Sequence, residues 1–374
     1  MPLNNYPGLC RADWVRLASP MASTTRHSIH SQRGLSLVEL MVAMAISLVL
    51  MTVLATVFAN SSRSQKEITM AAQQVENGRY SIEILSDDLR HAGYYGYYTA
   101  SGTAPVALPD PCSNDTTIIK NALLLPVQGY NSLAAINATL PCIADANFVA
   151  GTDVLVVRHA STEVTASGSL VALKVYIQAK PSATSSSSNL VVDLGVAASF
   201  ATMQVRDGSG ANVAAPIRQL KTHIYFIAPC SAATGGSDVV DNPICTSSDD
   251  GGSPIPTLKR LELTSASGVT KFKIYPLVEG IQNFQVEYGI DSDNDGAPNG
   301  AYVTAPPTVA DWKNVMAMRL YVLARNTQIS SGYTDTKTYN LGSTAVAGSG
   351  NYRRHVYDTL VRLKNPSERR EPST

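Results

Sequence analysis

The most constraining feature of the sequence is a run of 23 residues, from Leu40 to Ser62, that contains no ionisable side chain. As an α-helix with a rise of about 1.5 Å per residue, this run extends for about 34 Å, enough to cross a hydrocarbon layer of about 30 Å. No other segment of the chain is comparably long and apolar. The sequence therefore predicts a single membrane span, with most of the chain on one side of it.

The residues before the span predict its orientation. Arginine occurs there four times, at positions 11, 16, 26 and 33, and is opposed only by Asp13. An excess of basic residues marks the cytoplasmic side of a span, so the large C-terminal part is expected to face outward.

A cleaved secretory signal peptide is the alternative interpretation of a basic segment followed by an apolar run. The run is longer than the usual ~7–15 residues of such a peptide, and no Ala-x-Ala site ends it. The helix is also expected to continue, because no proline occurs between Met21 and Ala104.

An apolar stripe marks the second half of this helix, before Gly93 supplies a stop. We expect the stripe to pack on the protein's own C-terminal domain. Its members recur at heptad spacing: Ile68, Val75, Ile82 and Leu89, with Ala71, Gly78, Leu85 and Ala92 between them.

One carboxylate, Glu39, stands at the edge of the apolar run. It can act simply as an anion at a helix N-terminus. Alternatively, a carboxylate so near hydrocarbon needs a cationic partner, and cleavage after Gly34 would create an α-amino group four residues away.

The string Arg33-Gly34-Leu35-Ser36-Leu37-Val38-Glu39-Leu40 before a long apolar run resembles the signal of type IV prepilins and pseudopilins. The resemblance implies that a prepilin peptidase removes a leader, residues 1–34, and methylates the new N-terminus at Leu35. Translation can start at Met1 or at Met21. The resemblance also implies that Glu39 neutralises the N-terminal amine of a neighbouring subunit during assembly.

Four further segments are similar to PilW-type minor pilins: Arg90–Gly96, Val286–Gly296, Asp311–Arg325 and Tyr352–Asn365. The resemblance implies a type IV pilus subunit that helps to initiate assembly and sits at or near the tip. It would reside in the inner membrane, with its C-terminal domain in the periplasm, and then on the cell-surface pilus. Implied partners are other minor pilins, the major pilin and a large tip-associated adhesin. A minor pseudopilin of a type II secretion system and a monomeric membrane-anchored adhesive domain remain alternatives.

Beyond Gly93 the composition changes to short apolar strands separated by polar turns. The sequence thus predicts an α+β fold, with the long N-terminal helix packed on antiparallel β-sheet and two β lobes. The expected regions are 35–62 and 63–93 for the helix, 94–220 and 221–366 for the β-rich parts, and 367–374 for a polar tail. A soft boundary between the lobes is expected near Pro216–Thr222.

Four of the five cysteines follow the span, which favours disulfides in an exported domain. Three pairings are possible. We expect nearest neighbours to pair, Cys112 with Cys142 and Cys230 with Cys245, because each pair brackets a loop-like stretch.

Asp291, Asp293 and Asp295 alternate before Gly296, as in the first half of a calcium loop. The twelfth position is Tyr302, so the bidentate glutamate of such a loop is missing. Calcium is therefore a candidate cofactor, and a turn between two strands is the alternative.

Other functions find little support. Formal net charge is zero, with 29 basic and 29 acidic residues, which argues against nucleic acid as a partner. His159, His223 and His355 are isolated in sequence, and neither the HExxH nor the GxSxG motif occurs, so no enzymatic activity is predicted.

Overall fold

The computed structural model describes residues 34–181, 189–238, 240–266 and 269–371. The predicted leader, except Gly34, and the last three residues of the predicted tail lie outside these ranges. The described chain is α+β, with a long N-terminal helix and antiparallel sheets, as the sequence predicts.

Helix α1 runs from Leu37 to His91, a length of 55 residues. It ends where the sequence predicts, because Gly93 adopts a positive φ of 75° that a residue with a side chain rarely accepts. The other helices are short: α2 (Thr116–Ala122), the single turn α3 (Asp249–Gly252) and α4 (Lys364–Glu368). Among the described helices, α1 alone is long and apolar enough to cross a membrane.

The chain divides into two compact units, residues 1–62 and 63–374. In the described part of the first unit, the large apolar side chains of α1 are exposed along its length.

The second unit contains all the strands of the described residues. In chain order they are β1 (Val127–Leu133), β2 (Thr152–Ala160), β3 (Tyr176–Ala179), β4 (Leu190–Asp193), β5 (Gln204–Arg206), β6 (Asn212–Ala214), β7 (Ile217–Ala228), β8 (Thr257–Ala266), β9 (Val269–Glu279), β10 (Ile281–Ile290), β11 (Val315–Arg325), β12 (Thr338–Leu341), β13 (Thr344–Ala347) and β14 (Arg354–Arg362).

The larger sheet is organised around β7. Strands follow the order β1-β2-β7-β3-β4, and β8 and β9 extend the sheet from β7 as well. A smaller sheet has the order β10-β11-β14, and β5–β6 and β12–β13 form separate hairpins. All of these pairs are antiparallel. Strand β7 begins at Ile217 and continues without a break through the rest of the range Pro216–Thr222, near which the boundary between the lobes was predicted.

Both faces of the larger sheet are covered. On one face, Leu155, Val157 and Tyr225 join a core with Leu85 and Leu89 of α1 and with the inner residues of the smaller sheet. On the other face, the side chains of β2 and β7 pack on the two disulfide-bonded loops. Every residue of β2 is therefore buried.

The predicted stripe on α1 is only half correct. Leu85, Leu89 and Gly78 are buried as expected, but Ile68 and Val75 are exposed. The face that packs on the second unit's sheets begins instead with Met70 and Gln74, so polar residues belong to it. Hydrogen bonds to the sheets therefore determine which face of α1 is packed, as much as the spacing of apolar residues does.

Both expected disulfides are present. Cys112 is bonded to Cys142 and Cys230 to Cys245, with 5.6 Å between the Cα atoms in each pair. In the chain-entropy picture, closing the shorter loop stabilises the fold by about 3 kcal/mol.

Candidate functional site

The N-terminal end of α1 carries the residues predicted for processing and assembly. Leu35 is 78% exposed, and nothing lies within 4 Å of a Cβ placed on Gly34. The segment before the helix is thus open around the predicted cleavage position.

Glu39 forms a reciprocal cap with Ser36 at the start of α1. The backbone N–H of Ser36 donates to Glu39 Oε2 at 3.0 Å, and the N–H of Val38 donates to Ser36 Oγ at 3.3 Å. These bonds satisfy donors that a helix N-terminus otherwise leaves unpaired. In the single chain, the Glu39 carboxylate is therefore held by its own helix, and it is also exposed.

The apolar half of α1 satisfies its polar groups internally. The hydroxyls of Ser47, Thr52 and Thr56 donate to backbone carbonyls of the preceding turn. These three hydroxyls are therefore satisfied within the helix, which suits an environment of lipid or of apolar helices.

The second half of α1 is fixed by directed polar contacts. The Gln74 side-chain amide donates to the carbonyls of Ala324 and Arg353, each at 2.9 Å. One turn further on, Asn77 donates to the Glu279 carbonyl at 3.0 Å. These bonds tie the helix to the ends of β11, β14 and β9.

A buried polar cluster lies near the C-terminal end of α1. Asp88 points from the helix to the larger sheet, where His159 of β2 and His223 of β7 each approach it at 2.8 Å. The Tyr225 hydroxyl donates to the same carboxylate at 2.9 Å. The register explains the convergence, because β2 pairs with β7 and these three side chains fall on the face that contacts α1.

The charge of Asp88 is strongly stabilised. Burial by itself would raise the pKa of this carboxyl, but the charge of His223 and hydrogen bonds from both histidines outweigh it and hold the pKa well below its usual range. Burial and the neighbouring Asp88 charge also raise the pKa of Tyr225 well above its ordinary value.

Sequence reasoning missed this cluster. It treated His159 and His223 as isolated residues, and they lie 71 and 135 positions from Asp88. The available signal was a carboxylate and an imidazole, Asp88 and His91, one turn apart near the end of an amphipathic helix. His91 is exposed, and its ring centre lies 5.8 Å from that of His159.

The acidic loop after β10 brings its three carboxylates within 4.8 Å of one another. The buried Asp291 already accepts hydrogen bonds from the N–H groups of Asn294 and Gly296, and Arg370 lies 3.1 Å from it. Burial opposes ionisation of Asp291, but these hydrogen bonds and the Arg370 charge lower its pKa. Asp293 and Asp295 are exposed, and calcium binding at this loop stays a prediction.

The predicted polar tail is partly ordered against the second unit. Arg369 donates to the Gly93 carbonyl at 3.1 Å, and Arg370 donates to the Lys313 carbonyl at 3.0 Å. Residues up to Glu371 therefore contact the body of this unit.

Two family models match the chain. Residues 29–55 match the prokaryotic N-terminal methylation motif, which includes Gly34, Leu35 and Glu39. Residues 244–365 match type IV pilus-assembly protein W, over the region from β8 to β14. Over these two ranges the chain is similar to the PilW family of type IV pilus-assembly proteins and carries a prepilin-like N-terminal methylation motif.

The match to this pilus-assembly family favours a structural role. The methylation motif implies processing by a prepilin peptidase, and the one long apolar helix among the described residues indicates a single-pass membrane anchor. No curated protein and no solved structure matches the chain.

Proposed function

We propose that this protein is a PilW-family minor pilin that helps to initiate assembly of the type IV pilus and sits at or near its tip. The observation that carries the proposal is the exposed apolar half of α1, in which the hydroxyls of Ser47, Thr52 and Thr56 are satisfied within the helix. Such a segment is stable in lipid and equally stable among similar helices, so a subunit can leave the membrane for a filament core.

The tip position is supported by the size of the second unit. Residues 63–371 form a bulky body with two sheets and two hairpins. In a helical stack, each internal subunit must leave room for neighbours on both sides along the axis. A subunit at the end has neighbours on one side only, which suits a body of this size.

Maturation would precede assembly. Prepilin peptidase would cut after Gly34 on the cytoplasmic side and methylate Leu35, while the second unit lies in the periplasm. The partners would be the other minor pilins, the major pilin and a large tip-associated adhesin, and the final location would be the cell-surface pilus.

Glu39 would set the axial register through the N-terminal amine of a neighbouring subunit. In the single chain this carboxylate accepts the Ser36 N–H, so joining the filament would exchange or share that bond. An ion pair in an apolar helix bundle is shielded little by water, and an unpaired carboxylate there is costly.

Three substitutions separate the charge of Glu39 from its cap. Glu39→Gln keeps an oxygen that can accept the Ser36 N–H but removes the charge, Glu39→Ala removes both, and Ser36→Ala weakens the cap while keeping the charge. We expect all three to be cleaved normally. Both Glu39 variants should lower the number of pili at least about tenfold, the equivalent of about 1.4 kcal/mol, and Ser36→Ala should be close to wild type.

Pili are counted by electron microscopy, and the protein is measured in sheared pili. Normal piliation in Glu39→Gln would contradict the charge role. Absence of the protein from sheared pili, with filament number unchanged by its deletion, would favour a monomeric anchored domain. N-terminal sequencing should give N-methylated Leu35, and retention of Met1 or Met21 on the membrane form would overturn the maturation scheme.

A further inference from the structure

We propose that Asp88, His159 and His223 bind a zinc ion that fastens helix α1 to the larger sheet. The three residues come from α1, β2 and β7, and their candidate ligand atoms all lie within 4.8 Å of one another. Their side chains are 90% or more buried. The inference does not depend on the proposed pilus function.

The surroundings of His159 favour a bound cation. Its Nδ1 lies 3.1 Å from the Ala160 carbonyl oxygen, and its Nε2 lies 2.8 Å from Asp88 Oδ1. A neutral imidazole carries one N–H and one bare nitrogen, so it can donate to only one of these oxygens. A metal ion at Nε2, with Nδ1–H donating to the carbonyl, satisfies both nitrogens and is the usual arrangement of a metal-binding histidine.

His223 is placed in the same way. Its Nδ1 lies 3.0 and 2.8 Å from the two oxygens of Asp88. Its buried Nε2 makes no hydrogen bond, and a Glu262 oxygen lies 3.5 Å from it. Metal binding at Nδ1 would fix the proton on Nε2, where Glu262 is positioned to accept it.

The local charges also suit a cation. Asp88 places a buried carboxylate between the two imidazoles, and a cation bound there would balance its charge. Arg260 is ion-paired with Glu262.

Two imidazoles and one carboxylate are a donor set typical of zinc, whereas calcium and magnesium prefer oxygen ligands alone. The Tyr225 hydroxyl lies 2.9 Å from Asp88, and this hydroxyl or a water molecule would complete a four-ligand shell. The four cysteines after the span are consumed in disulfides and do not compete for the ion.

Calorimetry with zinc chloride tests the proposal on the full-length chain in detergent, without a histidine tag and after treatment with a chelator. We expect one zinc ion per chain and a higher unfolding temperature when zinc is present. His159→Ala and His223→Ala should each weaken zinc binding at least a hundredfold. The matched control is His355→Ala, which removes an exposed histidine of β14 and should leave the affinity unchanged.

Failure of the wild-type chain to bind zinc would overturn the proposal, as would undiminished affinity in folded His159→Ala. If the alanine variants do not fold, X-ray absorption spectroscopy of the zinc-loaded wild type identifies the ligands and decides between the two outcomes. Two imidazole nitrogens and a carboxylate oxygen around zinc would support the site, and a shell of oxygen ligands alone would refute it.

Discussion

The two halves of helix α1 show two different ways in which a sequence determines where a helix lies. In the first half, Ser47, Thr52 and Thr56 bond back to their own helix, and the apolar side chains have no partner among the described residues. In the second half, Gln74 and Asp88 reach across to the sheets. The surroundings of the first half follow from its apolar composition, so it can lie in any apolar environment. The position of the second half is determined by individual contacts.

The largest effect is expected from Asp88→Ala in the second half. It leaves His159, His223 and Tyr225 without their shared acceptor and should lower the free energy of unfolding by about 3–5 kcal/mol. Asp87→Ala is the control, because the neighbouring Asp87 is exposed and its pair with Arg90 contributes at most about 1 kcal/mol.

Denaturant unfolding in the presence of a chelator measures both variants. Trp312 is a suitable fluorescence probe, because it is buried against Tyr288 and the other tryptophan, Trp14, lies in the predicted leader. Equal free energies of unfolding for the two variants would show that the contacts of Asp88 do not hold the second half of α1 in place.

A charge in the first half should act on the membrane and not on the fold. Leu48→Arg places a guanidinium in the middle of the apolar run and should cost about 2.5–3.5 kcal/mol on membrane insertion. We expect less protein in the membrane fraction and an unchanged Trp312 unfolding curve, while Leu48→Ala behaves like wild type. A shifted unfolding curve would show that the apolar half contributes to the stability of the second unit.

Asp153 on β2 offers the opposite case to Asp88, a buried carboxyl held by backbone N–H groups without a cation. Burial raises its pKa to about 6, although the N–H groups of Ser132 and Val286 act in the other direction. A raised pKa means that the folded state retains a proton which the unfolded state has released, so stability falls as pH rises from about 4 to about 6.

The expected fall is roughly 2–3 kcal/mol, at about 1.4 kcal/mol per pH unit of separation. Asp153→Asn should lack this slope, and Asp87→Asn should keep it. The measurement is the free energy of unfolding at a series of pH values. Parallel slopes in all three proteins would show that Asp153 titrates normally in the folded state.

The smallest effect concerns the packing of the second half. A Cβ on Gly78 would lie 2.2 Å from the ring of Tyr357 in β14, so Gly78→Val should destabilise the fold by about 1–2 kcal/mol through overpacking. Ala72→Val, at an exposed position of the same helix, should cost at most about 0.5 kcal/mol. Equal melting temperatures would mean that Tyr357 moves aside freely.

The sequence was sufficient for features that depend on local patterns. The uncharged run, the stop at Gly93 and the antiparallel strands expected beyond it all rest on periodicity and composition. The neighbour disulfides were predicted because each pair brackets a loop-like stretch.

Features that depend on distant residues could not be read in this way. Gly129 of β1 is one example, because a Cβ at this position would lie 1.7 Å from the hydroxyl of Tyr288, some 160 residues later. The prediction of the packed face of α1 was partly wrong because Gln74, a polar residue of that face, has its hydrogen-bonding partners some 250 residues later. The Asp88 cluster needs the register of β2 and β7, which neither strand reveals alone.

The disulfides have a consequence for the timing of folding. On one face of the larger sheet, β2, β7 and β8 pack on the loops that Cys112–Cys142 and Cys230–Cys245 close. Such bonds persist in oxidising compartments and are rare in the reducing cytosol. With the second unit in the periplasm, as proposed, these bonds would form only after the chain has crossed the bilayer, so this face would be completed there and not during translation.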